Sequence, residues 1–197
     1  MNNLVVVLLV LGSLFYLAKG LDLTLEKSAL WMTVGLVAVG IISTHFLGRI
    51  RLGYGETYSD YMILGTILLL LAVSDATTYQ LPTDLLVFGL VVGVLLVIRA
   101  GGPKWYMNIL VATVVFFLIF LLGKILRGGI GEGDAYVVAM IALYLGGMHM
   151  LVVVLAGLLL SSVVGIGMMI FAGKSRKTVL PFVPFIAIAH IGVLLFW

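Results

Sequence analysis

Long apolar stretches recur along the whole chain, and polar residues are confined to short segments between them. Runs such as 67–71 and 152–155 show no alternation of apolar and polar residues, so they do not fit the strands of a membrane β-barrel. In a bilayer the remaining solution is the helix, because each backbone polar group must find its partner within the protein. The pattern therefore predicts an all-α protein, a polytopic bundle of transmembrane helices.

Eight helices are predicted, some of which need an extra turn from a flanking loop to reach the roughly 20 residues of a full span. Residues 134–172 cannot form one span, since a straight helix of that length would measure roughly 58 Å against a hydrocarbon core of about 30 Å. A break at 146–149 divides this stretch in two. The predicted helices are 4–17, 29–47, 61–74, 85–98, 106–123, 134–146, 150–172 and 181–197.

The distribution of lysine and arginine between loops predicts the orientation. Eight helices place both termini on one side, and the loops of the other side are the more basic. The more basic side is expected to face the cytoplasm, with both termini outside a multi-pass cell membrane protein. The first apolar run lacks a basic n-region and a cleavage site, so it is expected to stay as a helix. The basic side carries Lys19, Lys27, Lys124, Arg127, Lys174, Arg176 and Lys177, and the other side Arg49, Arg51, Arg99 and Lys104.

Composition narrows the function classes. Charged residues make up 10% of the chain, against about 25% in a soluble domain, so we expect a single integral membrane domain over residues 1–197. No cysteine is present, which excludes disulfides, cysteine-ligated zinc and a thiol nucleophile. The net charge of +3 lies in loops and does not suggest a nucleic-acid surface. The histidines His45, His149 and His190 lie on separate elements and are expected to pack between helices, so no metal or cofactor is predicted.

Two acidic residues at the ends of predicted helices, both on the basic side, are candidates for chemistry. Asp75 follows the third apolar run, and Asp134 begins the sixth within Gly131-Glu132-Gly133-Asp134. An ionised aspartate near the bilayer core costs roughly 2.5–3.5 kcal/mol, so each marks a functional-site hypothesis. The alternative is a helix-end charge, which the helix dipole favours by about 0.3–1 kcal/mol at Asp134. The flanking glycines permit an unusual backbone and a close approach of another segment.

If the third and sixth helices are neighbours, these two acids could act together. Two carboxyl groups held close ionise less easily than one and share a proton. The ionised member can then activate a water molecule while the neutral member donates a proton, which hydrolyses a peptide without a cofactor. The alternatives are a transporter that binds a cation or relays protons with paired carboxylates, and a scaffold without chemistry. Transporters often show internal repeats with acids at the midplane, and neither feature is found here.

Three ordered segments resemble a known family. Residues 75–84 (DATTYQLPTD), 131–137 (GEGDAYV) and 181–187 (PFVPFIA) are similar to motifs of the GxGD membrane aspartyl proteases. Within that class they most resemble the type IV prepilin peptidases, which include the archaeal preflagellin peptidases. The resemblance covers about residues 61–197 and leaves 1–60 as two additional N-terminal helices.

This resemblance implies an endopeptidase that cuts the short basic leader from pilin, pseudopilin or archaellin precursors at the cytoplasmic face. Asp75 and Asp134 would be its catalytic pair. Gly131 and Gly133 would shape the loop that presents Asp134, and the segment with Pro181 and Pro184 would lie against the site. The implied partners are these precursors and the lipid bilayer, with no cofactor.

The sequence departs from the family pattern in several places. Tyr136 stands where the family has a lysine, and Val183 where it has a glycine between the two prolines. Many bacterial members carry a four-cysteine zinc loop and also methylate the new N-terminus, and this chain lacks cysteine, so methylation is not predicted. A presenilin-like enzyme would have tyrosine before the first aspartate, and here Ser74 precedes Asp75.

Overall fold

The computed structural model describes residues 27–52, 56–102, 104–126, 131–173 and 180–196, and these residues form helices and connecting turns without a strand. The predicted first helix at 4–17 lies outside the described residues, so the count of eight helices stays a prediction. The helices are α1 (Lys27–Leu52), α2 (Glu56–Thr78), α3 (Thr83–Ala100), α4 (Lys104–Ile125), α5 (Glu132–Ala172) and α6 (Val183–Phe196).

Four stretches in the described part of the chain are long and apolar enough to cross a membrane, and two shorter apolar helices accompany them. The protein is therefore a membrane protein, and the described part of its chain is all-helical. The long stretches are Tyr58–Thr78, Thr83–Ala100, Trp105–Ile125 and Glu132–Phe171, and the shorter ones are Val37–Ile50 and Val183–Phe196.

Helix α5 is broken at Gly146, where φ is 76° and ψ is 171°, within the predicted break at 146–149. The two halves run in opposite directions. Gly146 lies against Asn108 near the start of α4, whereas Gly157 packs on Ile186 near the start of α6. Since α3 separates the end of α2 from the start of α4, and the start of α6 meets the end of α2, these two contacts lie at opposite ends of the bundle. The sequence 134–172 thus crosses the bundle twice, as its length requires.

Helix α2 is central, and α4 lies at the periphery. Helices α1, α3, α5 and α6 all pack on α2, whose Leu64, Leu68 and Leu71 are completely buried. Helix α4 packs against α3 and α5 and exposes side chains such as Phe117, which is 63% accessible. In a bilayer such side chains contact lipid, which is as apolar as they are.

Helix α3 approaches the first half of α5 closely through Gly89 and Gly93. A Cβ atom at Gly89 would lie 2.4 Å from Sδ of Met140, and one at Gly93 would lie 2.8 Å from Cε2 of Tyr144. The Tyr144 hydroxyl donates to the Gly89 carbonyl oxygen at 3.0 Å. Small residues four positions apart let membrane helices come close enough for such packing. This contact positions the first half of α5, which begins near Asp134.

The three histidines all pack against α2, as predicted. His45 of α1 is hydrogen-bonded to the Tyr58 hydroxyl, with Nδ1 2.6 Å from that oxygen. The rings of His149 and His190 both contact the ring of Tyr61, with centroids 6.3 Å and 5.6 Å away.

Candidate active site

Asp75 lies near the end of α2 and accepts a hydrogen bond from the start of α6. Its side chain is largely buried, with 9% of the residue accessible. The Val183 N–H donates to Asp75 Oδ2 at 2.9 Å, and the Phe182 N–H also interacts with this carboxyl group. The first amides of a helix have no partner within the helix, and the positive end of the helix dipole lies there. The start of α6 therefore stabilises a negative charge on Asp75.

The turn after Asp75 is held by hydroxyl groups. Tyr79 has a positive φ of 55°, and its N–H donates to the Asp75 carbonyl oxygen at 3.0 Å. The Ser74 hydroxyl donates to the Gln80 carbonyl oxygen at 2.9 Å, and the Thr78 hydroxyl donates to the Ser74 carbonyl oxygen at 2.8 Å. Serine and threonine commonly satisfy backbone groups where a helix ends. These bonds fix the path of the chain between Asp75 and Leu81.

Leu81, just after this turn, contacts Gly133 in the first turn of α5. A Cβ atom at Gly133 would lie 2.7 Å from Leu81 Cδ1 and 3.3 Å from its Cγ. A larger residue at 133 would therefore force the Leu81 side chain to move. The first and second motifs are in direct contact here.

Asp134 lies in the first turn of α5 and is tied to its own N-terminal segment. Its Oδ2 accepts a hydrogen bond from the Gly131 N–H at 3.2 Å, while its own N–H donates to the Gly131 carbonyl oxygen at 3.1 Å. An acidic side chain in this position satisfies an amide that the helix leaves free. Asp134 is also near enough to Asp75 for the two charges to interact.

An ion pair and a row of aromatic rings connect the end of α4 to the start of α5. Lys124 pairs with Glu132, and its ammonium group lies 5.1 Å from the centre of the Phe120 ring. One turn further into each helix, Tyr136 packs on Phe116 with ring centroids 4.8 Å apart. The tyrosine that stands in place of a lysine thus faces α4.

The structure gathers the predicted site residues at one end of the bundle. Asp75, Gly131, Gly133 and Asp134 lie together, and Pro184 lies in the first turn of α6 with Pro181 just before it. Proline suits a helix start, because the amide that it lacks would have no partner there.

Sequence reasoning missed two contacts, the Val183 amide on Asp75 and Leu81 on Gly133. Pro181 and Pro184 suited a helix start, but no feature of the sequence indicated that the Val183 amide between them reaches Asp75.

The fold and the site together define a class of protein. In its described residues it is a helical membrane bundle that carries two aspartates at one end. The sequence profile described as the type IV leader peptidase family matches residues 62–170, which include both aspartates. This match covers more than half of the chain, and the chain belongs to that family.

One curated relative is the prepilin leader peptidase/N-methyltransferase of Bacillus subtilis (strain 168), which is 26% identical over 144 residues. The alignment covers 72% of this chain and 57% of that relative. No solved structure matches the chain.

Proposed function

We propose that this chain is a membrane-embedded aspartyl endopeptidase that removes the short basic leader from type IV prepilin-like precursors. Asp75 and Asp134 are its catalytic pair. Family membership supports a leader peptidase, and the name of the Bacillus subtilis relative describes one acting on prepilins. The second activity in that name is not extended to this chain, since the alignment covers 57% of the relative.

The meeting of two acids from distant segments is the observation that carries this proposal. Asp75 and Asp134 are contributed by α2 and α5, and their charges interact in a largely apolar bundle. Stability does not account for the arrangement, since two like charges in a poorly solvated place repel each other. A pair that shares a proton gives the acid and the base that peptide hydrolysis requires.

The reaction uses one water molecule between the two carboxyl groups. The ionised carboxylate accepts a proton from the water, whose oxygen attacks the scissile carbonyl carbon, while the neutral carboxyl group protonates the carbonyl oxygen. The tetrahedral intermediate then collapses. As the C–N bond breaks, the carboxyl group that received the water proton passes it to the nitrogen, and the other carboxylate recovers a proton from a hydroxyl of the intermediate. This releases the leader with a new carboxyl terminus and the mature protein with a new N-terminus.

The Val183 amide favours Asp75 as the ionised partner. Asp75 accepts a hydrogen bond from this amide at 2.9 Å and also interacts with the Phe182 amide. Asp134, in contrast, accepts a hydrogen bond from the Gly131 amide at 3.2 Å. The closer and more numerous donors stabilise the carboxylate of Asp75 more than that of Asp134. Asp134 then begins the cycle as the neutral acid and protonates the carbonyl oxygen.

The site faces the cytoplasm in this proposal. Lys124, in the last turn of α4 at the same end of the bundle, belongs to the more basic side of the chain. A precursor whose leader lies in the cytoplasm and whose apolar helix lies in the membrane would present its boundary at this depth. Family membership favours this peptidase over the transporter that paired carboxylates could also form.

A cleavage assay in membranes tests the proposal. Prepilin, prepseudopilin and prearchaellin substrates are mixed with the wild type, Asp75→Asn, Asp134→Asn and Asp60→Asn, at matched amounts of each enzyme. Asparagine keeps the size of the side chain but removes its acid–base chemistry, so each site variant should lose roughly 10²–10⁴-fold in rate.

Asp60 is a matched control because it is another aspartate of α2 and lies at the opposite end of that helix from Asp75. Its Oδ1 is 3.8 Å from Nη2 of Arg99 on α3. Asp60→Asn should cleave as the wild type does. Site variants that cut like the wild type would disprove the aspartyl pair, and a wild type that cuts no substrate in the panel would disprove the substrate class.

A further inference from the structure

His190 is the most buried polar side chain that the proposed chemistry leaves unused. It lies on α6 and is completely inaccessible. Its Nε2 is 3.2 Å from the Tyr61 carbonyl oxygen of α2, and its ring stacks on the Tyr61 ring at an interplanar angle of 20°. A carbonyl oxygen only accepts hydrogen bonds, so Nε2 carries the proton. Nδ1 finds no hydrogen-bond partner among the described residues.

Gly65 of α2 leaves the space that the His190 imidazole occupies. A Cβ atom at Gly65 would lie 3.2 Å from His190 Nε2 and 3.2 Å from Cγ2 of Thr44 on α1. The missing side chain therefore makes room for α1 and α6 to close on α2 at the same level. An apolar side chain of similar size could fill this space without leaving a ring nitrogen unpaired, so packing alone does not explain the histidine.

His190 and Val183 lie on the same face of α6. Seven residues separate them, which is about two turns of a helix and roughly 10.5 Å along its axis. Both residues are completely buried against the bundle. At one level α6 donates the Val183 amide to Asp75, and at the other it donates the His190 ring N–H to Tyr61.

Two directional bonds fix a helix in a way that apolar contacts do not. In a membrane, burial of apolar side chains between helices does not fix how far one helix slides along another, because lipid solvates the same side chains equally well. A slide of α6 by one residue along its axis would be about 1.5 Å, enough to take a hydrogen bond of normal length out of range. The bond at Tyr61 opposes that slide at a distance from the reacting groups.

We propose that His190 is a positioning residue, whose hydrogen bond to the Tyr61 carbonyl oxygen sets the register of α6 so that the Val183 amide meets Asp75. His190 touches no reacting atom. Its effect reaches the chemistry through α6, and the effect on catalysis rests on the proposed function.

His190→Met and His190→Gln separate the hydrogen bond from the volume of the side chain. Methionine fills similar space without a donor, whereas the glutamine amide can place a donor near the position of Nε2. The control is Gly192→Ala, also on α6, because a Cβ atom there would meet nothing within 4 Å. The measurements are kcat and KM for precursor cleavage in nanodiscs, and the NMR shift of the Val183 amide proton.

His190→Met should lower kcat between about 10- and 100-fold, as a misplacement near 1 Å can, with KM within about twofold of the wild type. The Val183 amide proton should move upfield as it loses its carboxylate acceptor. His190→Gln should recover most of kcat and the shift, and Gly192→Ala should change neither. Wild-type kcat in His190→Met, or a glutamine variant as poor as the methionine variant, would overturn the inference.

If His190→Met does not fold, a second variant tests the same hydrogen bond. Gly65→Ala places a methyl group against Nε2, so it should lower kcat severalfold and shift the Val183 amide proton in the same direction; unchanged values overturn the inference. The NMR readout does not depend on cleavage. If the wild type cuts no precursor, the proposed function fails while the amide shift still decides the register.

Discussion

The two halves of α5 are both strongly apolar, yet they have different surroundings. Residues 137–145 of the first half are all buried, and Val137, Met140 and Ile141 are completely inaccessible. In the second half, Leu159 and Val163 are 68% and 69% accessible. The first half packs against α3 and α4 and carries Asp134 in its first turn, whereas much of the second half faces lipid.

This contrast shows what hydropathy measures in a membrane protein. In water, an apolar side chain is stabilised by leaving the solvent, and its hydrophobicity therefore indicates its place. In a bilayer both the interior and the surroundings are apolar, and what distinguishes them is close packing. Gly89 and Gly93 provide that packing for the first half, on the side where Met140 and Tyr144 lie.

Truncation of one large side chain in each half is the strongest test of this contrast. Met140→Ala should lower the free energy of unfolding by about 2 kcal/mol, the lower end of the range for cores of soluble proteins, because a cavity forms but no transfer from water is lost. Leu159→Ala should change it by less than about 0.5 kcal/mol. Unfolding by SDS in mixed micelles measures both variants, and equal losses would mean that burial does not separate the halves energetically.

A substitution at the break between the halves should have the next largest effect. Gly146→Ala forces a Cβ atom onto a backbone with φ of 76° and brings it 3.2 Å from Asn108 Oδ1. Positive φ with an extended ψ of 171° is almost confined to glycine, and a side chain there costs at least about 1 kcal/mol. Gly147→Ala is the matched control, since its Cβ atom would meet Val111 at an ordinary 3.4 Å. In the same titration, a loss at 147 as large as at 146 would contradict the conformational explanation.

The smallest effect is expected from the polar contact that supports the break. Asn108 Nδ2 donates to the Leu143 carbonyl oxygen at 3.2 Å, near the end of the first half. Asn108→Leu should cost about 0.6 kcal/mol, the average for hydrogen bonds between membrane helices. Thr113→Val on the same helix should cost less, since the Thr113 hydroxyl bonds only to the Ile109 carbonyl of its own helix. A larger loss from Thr113→Val would show that Asn108 does not hold the break.

Much of the fold could be predicted from length and hydropathy. The break in α5 was predicted from a length limit and lies at Gly146, inside the expected range. The packing around it could not be predicted, because Val137 and Val163 are the same residue type and have opposite surroundings. Which apolar face meets protein depends on the shapes of partner helices, and a single sequence does not reveal them.

The candidate site also has a part that the sequence could predict and a part that it could not. Asp75 and Asp134 stand out because charge is costly in an apolar stretch, and the structure brings them together. Their catalytic role stays a proposal. Two contacts that support the site could not be predicted. Leu81 makes an apolar contact with Gly133, and His190 bonds to the backbone carbonyl of Tyr61. Both join residues far apart in sequence, and neither leaves a recognisable sequence pattern.

The bond from α6 to Asp75 comes from a backbone amide, and this has a consequence for substitution scans and for evolution. Nineteen of the twenty amino acids carry this amide, so exchanges at position 183 can alter side-chain packing while the donor itself persists. A family member with glycine there and this chain with Val183 can share one interaction without sharing a residue. Proline alone deletes the donor, and replacement of the amide by an ester would expose a contribution that side-chain variants leave hidden.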